Sequence, residues 1–253
     1  MKQQQPLLTT WTTMDLEMHK MEKGKRKPHI FLAGDSTMQA YTKDKRPQYG
    51  WGERLHEYLD GELLDSYHRL QCVFEQQRCF ESERFIIDNC GMAGRSLKSF
   101  IRENRHLDIF SNIKAHDWLI IQFAHNDIAR DKPERYTPIE ELKTYYEIIL
   151  SAARKQKVNL IVLAPILIDI YSHEEATLRP LVKDIKAYVA EIKTIAAMHD
   201  IPFVDVATIT KKILNYDLHA LGTYYLEDHV HLNMQGANLY AKVIGDAIRQ
   251  WIE

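Results

Sequence analysis

Short apolar runs alternate with longer amphipathic segments along most of the chain. The apolar runs lie at residues 29–34, 84–91, 117–124, 159–165 and 201–206. Their hydrophobic residues are continuous and do not alternate with polar ones, which is typical of strands buried on both faces of a parallel sheet. The pattern therefore predicts five parallel strands.

Segments with helical spacing separate and follow these runs. They lie at residues 51–60, 95–108, 137–156, 180–199 and 233–252. The third segment begins with Thr137 and Pro138, followed by Glu140, which predicts a capping box at its first turn. Alternating strands and helices predict a doubly wound α/β fold, and such sheets bind ligands beyond the carboxyl ends of their strands.

The length and composition predict one large domain. The chain has 253 residues, of which 45% are hydrophobic and 27% are charged. We expect residues 1–27 to form a peripheral N-terminal extension and residues 28–253 to form a single domain with an enlarged connection at 60–84. Because connections of that length seldom lack structure, we expect a helical excursion or a pair of short elements there.

Charge and residue usage exclude several classes of partner. A net charge of −2 gives no electrostatic footprint for nucleic acid. Cys72, Cys79 and Cys90 lack the spacing of a disulfide framework or a zinc site and suit a reducing compartment. We find neither a signal peptide pattern nor an apolar run that could span a membrane, so we expect a cytoplasmic protein with no membrane partner. Glycine-rich nucleotide motifs do not occur, and we expect no metal or organic cofactor.

Polar residues follow the ends of the predicted strands and precede the last helix. These residues are Gly34-Asp35-Ser36 after the first strand, Gly94 after the second, Asn126 after the third, and Asp228 with His231 before the final helix. Any one of these motifs has a plain structural explanation, and Gly-Asp-Ser-Thr could simply cap a helix. Taken together, they are expected to meet at one edge of the sheet.

Their side chains form an inventory for acyl transfer. Ser36 would be the nucleophile, His231 the base that takes its proton, and Asp228 the carboxylate that orients the imidazole. The backbone N–H groups of Ser36 and Gly94 and the amide of Asn126 would bind the developing oxyanion. A glycine at position 94 would let the backbone approach the substrate closely.

These stretches, in this order, resemble the SGNH (GDSL-type) hydrolases, whose name denotes Ser, Gly, Asn and His. Expanded blocks similar to the rhamnogalacturonan acetylesterase-like branch are GDSTM at 34–38, GWG at 50–52, AGRS at 93–96, HND at 125–127 and HLN at 231–233. The resemblance covers residues 29–252. One departure is Ala124, which stands where the family usually has glycine.

The resemblance implies a fold and an activity. The fold is a three-layer α/β/α sandwich with a five-stranded, flavodoxin-like parallel sheet. The activity is that of a serine esterase that removes O-acetyl groups from a carbohydrate, of pectin or rhamnogalacturonan type or a related oligosaccharide, through an acyl-enzyme intermediate. The partner would be an acetylated oligosaccharide.

Three alternatives remain open at this point. A lipase or thioesterase-type acyl hydrolase would use the same superfamily machinery on another acyl group. A metallophosphoesterase could use His229 and His231 together with Asn126 and Asp127 as metal ligands. A non-catalytic carbohydrate-binding protein could share the fold, since fold does not fix function.

Further candidates for substrate contacts have structural alternatives. They are Asp35, Arg95, His125 and Trp51. Arg95 could instead be an exposed residue of a first helical turn, His125 could support Asn126, and Trp51 could pack in the core. A polar and aromatic rim that suits hydroxyl-rich sugars is predicted from Gln39, Tyr41, Gln48, Tyr49, Arg95, Tyr224 and Tyr225.

Overall fold

The computed structural model describes residues 26–59, 67–68, 78–81, 84–168 and 179–252. Its strands are β1 (His29–Gly34), β2 (Tyr67–His68), β3 (Arg78–Glu81), β4 (Ile86–Asn89), β5 (Trp118–Gln122), β6 (Asn159–Leu163) and β7 (Phe203–Val204). Within the described residues they form one seven-stranded sheet in the order β2-β3-β4-β1-β5-β6-β7. β4, β1, β5, β6 and β7 pair in parallel, while β2, β3 and β4 pair in antiparallel fashion.

The five predicted strands are confirmed as the parallel part of this sheet. Across the sheet these five strands lie in the order β4-β1-β5-β6-β7. Counted along the chain as first to fifth, that order is 2-1-3-4-5, which is the flavodoxin-like order. The predicted total of five is corrected by the edge pair β2 and β3. This pair arises from the 60–84 connection, whose residues 60–66, 69–77 and 82–83 lie outside the described part.

The predicted N-terminal extension also falls mainly outside the described residues, which begin at Arg26. Both carboxylate oxygens of Asp117 accept hydrogen bonds of 2.7 Å from the Arg26 guanidinium. Lys27 pairs with Glu81 of β3 at 2.7 Å. The last two residues of the predicted extension are therefore tied to the sheet.

Seven α-helices are present in the described residues. They are α1 (Leu55–Leu59), α2 (Leu97–Arg102), α3 (Arg105–Asn112), α4 (Leu142–Gln156), α5 (Arg179–Met198), α6 (Val206–Ile213) and α7 (Met234–Ile252). The single helix predicted over 95–108 is wrong, because Asn104 has a left-handed backbone with φ of 60° and separates α2 from α3. Within the described part of the chain, no helix has the length and apolar composition that a membrane span needs.

Alternate residues of the central strands pack on opposite faces of the sheet. Ile30 and Leu32 of β1 belong to the core that includes residues of α1, α6 and α7. Phe31 and Ala33 belong to the core that includes residues of α2, α3, α4 and α5. Both sets are almost fully buried, which explains why the strand sequences are continuously apolar. The three-layer α/β/α arrangement predicted from the sequence is confirmed.

Candidate active site

The loop after β1 forms a tight turn that carries Ser36. Asp35 organises this turn, because its Oδ1 accepts hydrogen bonds from the Thr37 backbone N–H at 2.9 Å and from the Thr37 hydroxyl at 2.8 Å. Residues 36–38 are a turn and no helix begins there, so the alternative of a simple helix cap is not realised. Ser36 lies at the carboxyl end of β1, as predicted, and 7% of its surface is exposed.

The loops after β1 and β4 are hydrogen bonded to each other. The Gln39 side-chain oxygen accepts a hydrogen bond from the Ala93 backbone N–H at 2.6 Å. The Met92 N–H donates to the Gly34 carbonyl at 3.0 Å. The Tyr41 hydroxyl donates to the Ser36 carbonyl at 2.8 Å and fixes the turn from its other side. The serine turn and the glycine turn therefore hold a defined relative position.

Asp35 and His125 form a buried pair. His125 Nδ1 lies 3.3 Å from Asp35 Oδ2, and His125 Nε2 lies 3.0 Å from the Ile166 carbonyl oxygen. Burial opposes ionisation of Asp35, but the hydrogen bonds and charge of His125 and the Thr37 donors outweigh it and lower the pKa of Asp35. Only 1% of Asp35 and 8% of the His125 side chain are exposed. Both residues were candidates for substrate contacts, and both are buried and bound to protein partners.

The structure brings Gly94 and Asn126 into one neighbourhood. The Asn126 Nδ2 donates to the Arg95 carbonyl, directly after Gly94, at 3.1 Å. The Asn126 Oδ1 accepts a hydrogen bond from Arg135 Nη1 at 2.9 Å. Gly94 has a φ of 76°, a backbone conformation that residues with side chains disfavour. This conformation is a second reason for glycine at position 94, besides the close approach of the backbone to substrate that the sequence predicted.

Asp228 and His231 form a close carboxylate–imidazole pair. His229 adopts a left-handed φ of 58°, and the chain turns so that Asp228 Oδ1 accepts the backbone N–H groups of Val230 at 3.0 Å and His231 at 2.8 Å. The second oxygen, Asp228 Oδ2, lies 2.6 Å from His231 Nδ1. Burial disfavours the charged carboxylate, yet these donors outweigh it and lower the pKa of Asp228. The ring is therefore held through Nδ1, which leaves Nε2 for proton transfer.

Asp127, expected only as a metal ligand in the metallophosphoesterase alternative, is a fully buried acid directly after Asn126. Its Oδ1 accepts hydrogen bonds from the Leu97 backbone N–H at 3.0 Å and from the Thr137 hydroxyl at 2.6 Å. Burial raises the pKa of Asp127 to about 7, against the effect of these donors. The Thr137 hydroxyl is thus used by Asp127, and the capping box predicted at Thr137 is wrong.

A cavity of about 1070 Å³ lies beside the serine and glycine turns. Its lining includes Gln39, Tyr41, Gln48, Met92, Ala93 and His231. Three residues of the predicted polar rim therefore line it. A smaller cavity of about 320 Å³ lies near the start of β5 and β6, beside Trp118 and Asn159, and carries none of the predicted site residues.

Other predicted contacts lie elsewhere or have protein partners. Trp51 is fully buried and donates from Nε1 to Gln122 Oε1 at 2.8 Å, so its assignment as a substrate contact is corrected to a core residue. Arg95 pairs with Glu103 at 3.0 Å. Tyr225 is 5% exposed and hydrogen bonds to Tyr240 at 2.9 Å, so it does not belong to the rim.

The metallophosphoesterase alternative needs His229 and His231 as a pair of metal ligands, and two such residues share one face only where the chain is an extended strand. The left-handed turn at His229 removes that arrangement. Among the residues that the structure describes, no group of three or more His, Cys, Asp or Glu side chains is placed to hold a metal ion.

The chain belongs to the GDSL-like lipase/acylhydrolase family, whose model matches residues 32–239. It is thus an enzyme of the carboxylic ester hydrolase class, and the predicted membership in the SGNH (GDSL-type) hydrolases is confirmed.

Two curated relatives come from Bacillus subtilis (strain 168). The chain is 29% identical over 232 residues to the protein named probable rhamnogalacturonan acetylesterase YesY, covering 88% of this chain and 93% of that one. It is 25% identical over 246 residues to rhamnogalacturonan acetylesterase RhgT, covering 89% of this chain and 91% of that one.

Solved structures share the fold. The Bacillus subtilis protein YxiM has a TM-score of 0.69 at 18% identity over 89% of this chain, which spans only 57% of the YxiM chain. Axe2, an acetylxylan esterase from Geobacillus stearothermophilus, has a TM-score of 0.62 at 16% identity over 87% of this chain and 94% of that one. At these identities the likeness concerns the fold alone.

Proposed function

We propose that this protein is a serine esterase that removes O-acetyl groups from an acetylated carbohydrate through an acyl-Ser36 intermediate. The observation that carries the proposal is the pairing of Asp228 with His231 at 2.6 Å, in which His231 also lines the cavity of about 1070 Å³. This pairing supplies an oriented base, which a serine hydroxyl needs in order to act as a nucleophile.

The proposed reaction proceeds in two halves. Ser36 Oγ attacks the acetyl carbonyl carbon while its proton passes to His231 Nε2, and Asp228 stabilises the resulting imidazolium. The tetrahedral intermediate collapses as the sugar oxygen takes the proton and leaves as a free hydroxyl. Water then attacks the acetyl-Ser36 ester with His231 again as base, and acetate leaves as Ser36 regains its proton.

Oxyanion stabilisation is assigned to three donors. The backbone N–H groups of Ser36 and Gly94 and the side-chain amide of Asn126 would bind the negative oxygen of both tetrahedral intermediates. The hydrogen bond from Asn126 Nδ2 to the Arg95 carbonyl supports this assignment, because it places the amide beside the Gly94 turn. The φ of 76° at Gly94 supports it too, because it sets the direction of the adjoining peptide groups.

The cavity supports a polar and anionic saccharide over a lipid. Lys43, Lys45, Arg46 and Arg78 line it, together with one carboxylate, Glu53. Such an excess of cationic side chains complements a uronate-containing, pectin-type chain. The names of the curated relatives from Bacillus subtilis, both rhamnogalacturonan acetylesterases, point to the same substrate class.

Two comparisons of rates test this proposal. We expect nitrophenyl acetate to be hydrolysed rapidly and nitrophenyl octanoate slowly; faster turnover of octanoate would assign the protein to the lipase or thioesterase side of its superfamily. We also expect faster acetate release from acetylated galacturonate-containing oligosaccharides than from acetylated xylo-oligosaccharides, with the difference shrinking as salt screens the charges. Equal rates that do not respond to salt would contradict the anionic substrate.

A further inference from the structure

Arg135 lies beside two of the groups assigned to the proposed oxyanion site, the Asn126 amide and the Gly94 turn. Its Nη1 donates to Asn126 Oδ1 at 2.9 Å. Gly94 has no side chain, but a Cβ atom at this position would lie 3.4 Å from the same Nη1, which shows that the guanidinium lies next to the glycine. No sequence motif pointed to this residue, which follows Asn126 on an irregular loop.

We propose that Arg135 is a positioning residue for the oxyanion site, an inference that rests on the proposed function of Asn126. Its guanidinium fixes the Asn126 amide so that the nitrogen end faces the developing oxyanion.

The hydrogen-bonding groups assign the two ends of the amide. A guanidinium only donates, so the atom of Asn126 that meets Arg135 must be the carbonyl oxygen. The Arg95 carbonyl only accepts, so the atom that meets it must be the amide nitrogen. A flipped amide would place two donors together on one side and two acceptors on the other. Both contacts therefore favour one orientation.

This orientation leaves one donor for the reaction. Nδ2 carries two hydrogens, and the Arg95 carbonyl takes one of them. The second is available to an oxyanion. Donation from Arg135 to Oδ1 also draws electron density from the amide, which strengthens its remaining N–H as a donor. The contribution of Arg135 to the rate would thus pass through Asn126.

The loop that carries Arg135 is held at several points. The Arg135 N–H donates to the Lys132 carbonyl at 3.0 Å, and Lys98 Nζ of α2 donates to the Tyr136 carbonyl at 2.8 Å. The Thr137 N–H donates to the Asp127 carbonyl at 3.0 Å. These bonds place the guanidinium before substrate arrives, which is what an electrostatic site requires.

A double-mutant cycle between Arg135 and Asn126 tests the proposal. Arg135→Met removes the donors but keeps an unbranched stem, and Asn126→Ala removes the amide. The matched control is Arg130→Met, on the same loop, whose side chain is 66% exposed and pairs with Asp184 at 3.4 Å. We would measure kcat and KM with nitrophenyl acetate, together with the Tm of every variant.

We expect Arg135→Met to lower kcat about tenfold with little change in KM, and Arg130→Met to leave both unchanged. In the Asn126→Ala background, Arg135→Met should have almost no further effect, because the two residues act as one unit. Arg135→Lys, which keeps a donor and a charge, should recover part of the lost kcat; this variant also serves as the test if Arg135→Met does not fold.

Several results would overturn the proposal. The same loss of kcat from Arg135→Met in both backgrounds would show that Arg135 acts independently of Asn126. An unchanged kcat, or a change in KM alone, would remove the positioning role. If Asn126→Ala itself left kcat unchanged, the oxyanion assignment in the proposed function would be the part that fails.

Discussion

The hydroxyl of Thr137 donates a 2.6 Å hydrogen bond to Oδ1 of Asp127. The same oxygen accepts the backbone N–H of Leu97, the first residue of α2, at 3.0 Å. Asp127 therefore joins the loop after β5 to the helix that follows the glycine turn. Because the carboxyl is fully enclosed, its protonation affects the stability of this junction.

We predict that stability depends on pH through Asp127. Its pKa is raised to about 7 in the folded protein, whereas the unfolded chain has the ordinary value of 3.8. Between these two pKa values the unfolded state binds fewer protons than the folded state. This group therefore lowers the free energy of unfolding as pH rises from about 4 to about 7, and it adds no further change above pH 7. Asp127→Asn, which resembles the protonated acid, should lack this decline.

Urea unfolding at pH 5, 6, 7 and 8 would measure the effect. The free energy of unfolding of the wild type, taken relative to Asp127→Asn, should fall from pH 5 to pH 7 and then level off. Taking this difference removes the opposite contributions of Asp35 and Asp228, whose pKa values are lowered. A difference that does not change with pH would contradict the raised pKa.

The sequence predicted those features that depend on local pattern. Continuous apolar runs identified the five parallel strands, because a strand buried on both faces has no polar face to show. The Asp228–His231 pair was also predictable, since three residues of separation bring the two side chains together once the chain turns. From the sequence, Trp51 could either pack in the core or bind substrate, and only the fold shows that it is a core residue.

Features set by contacts distant in sequence could not be predicted in this way. Thr137 has the sequence of a helix cap, yet its hydroxyl binds Asp127, ten residues earlier. The α-helix begins later, at Leu142, after a 3₁₀ turn at Ile139–Glu141. The contact of Arg135 with Asn126 likewise depends on the path of an irregular loop. The edge strands β2 and β3 are too short to give a periodic signal.

We predict that Ala124→Gly stabilises the protein. Ala124 is 1% exposed and has a φ of 137°, a backbone conformation that favours glycine. It stands at the position where SGNH hydrolases usually have glycine. Relief of this strain should raise the free energy of unfolding by about 1 kcal/mol. Ala33→Gly in β1, equally buried but without a positive φ, is the control and should lower it. Equal losses for both variants would show that Ala124 is not strained.

We predict that Asp228→Asn reduces catalysis with little effect on KM. An amide at this position can donate to His231 Nδ1, which would favour the tautomer with Nε2 protonated and unable to take the serine proton. We expect kcat for nitrophenyl acetate to fall by roughly 10³- to 10⁴-fold. Asp246→Asn, an exposed carboxylate paired with Lys242, is the matched control. A loss smaller than about tenfold would mean that Asp228 does not set the tautomer.

Labelling with a serine-directed organophosphonate, followed by peptide mass spectrometry, determines whether Ser36 is the nucleophile. If Ser36 is the nucleophile, a single adduct should form on the peptide that contains Ser36, in proportion to the loss of esterase activity. His231→Ala should slow this labelling, because the base that activates the hydroxyl is lost. An adduct on a different residue, or full esterase activity in a protein fully labelled at Ser36, would contradict the acyl-Ser36 mechanism.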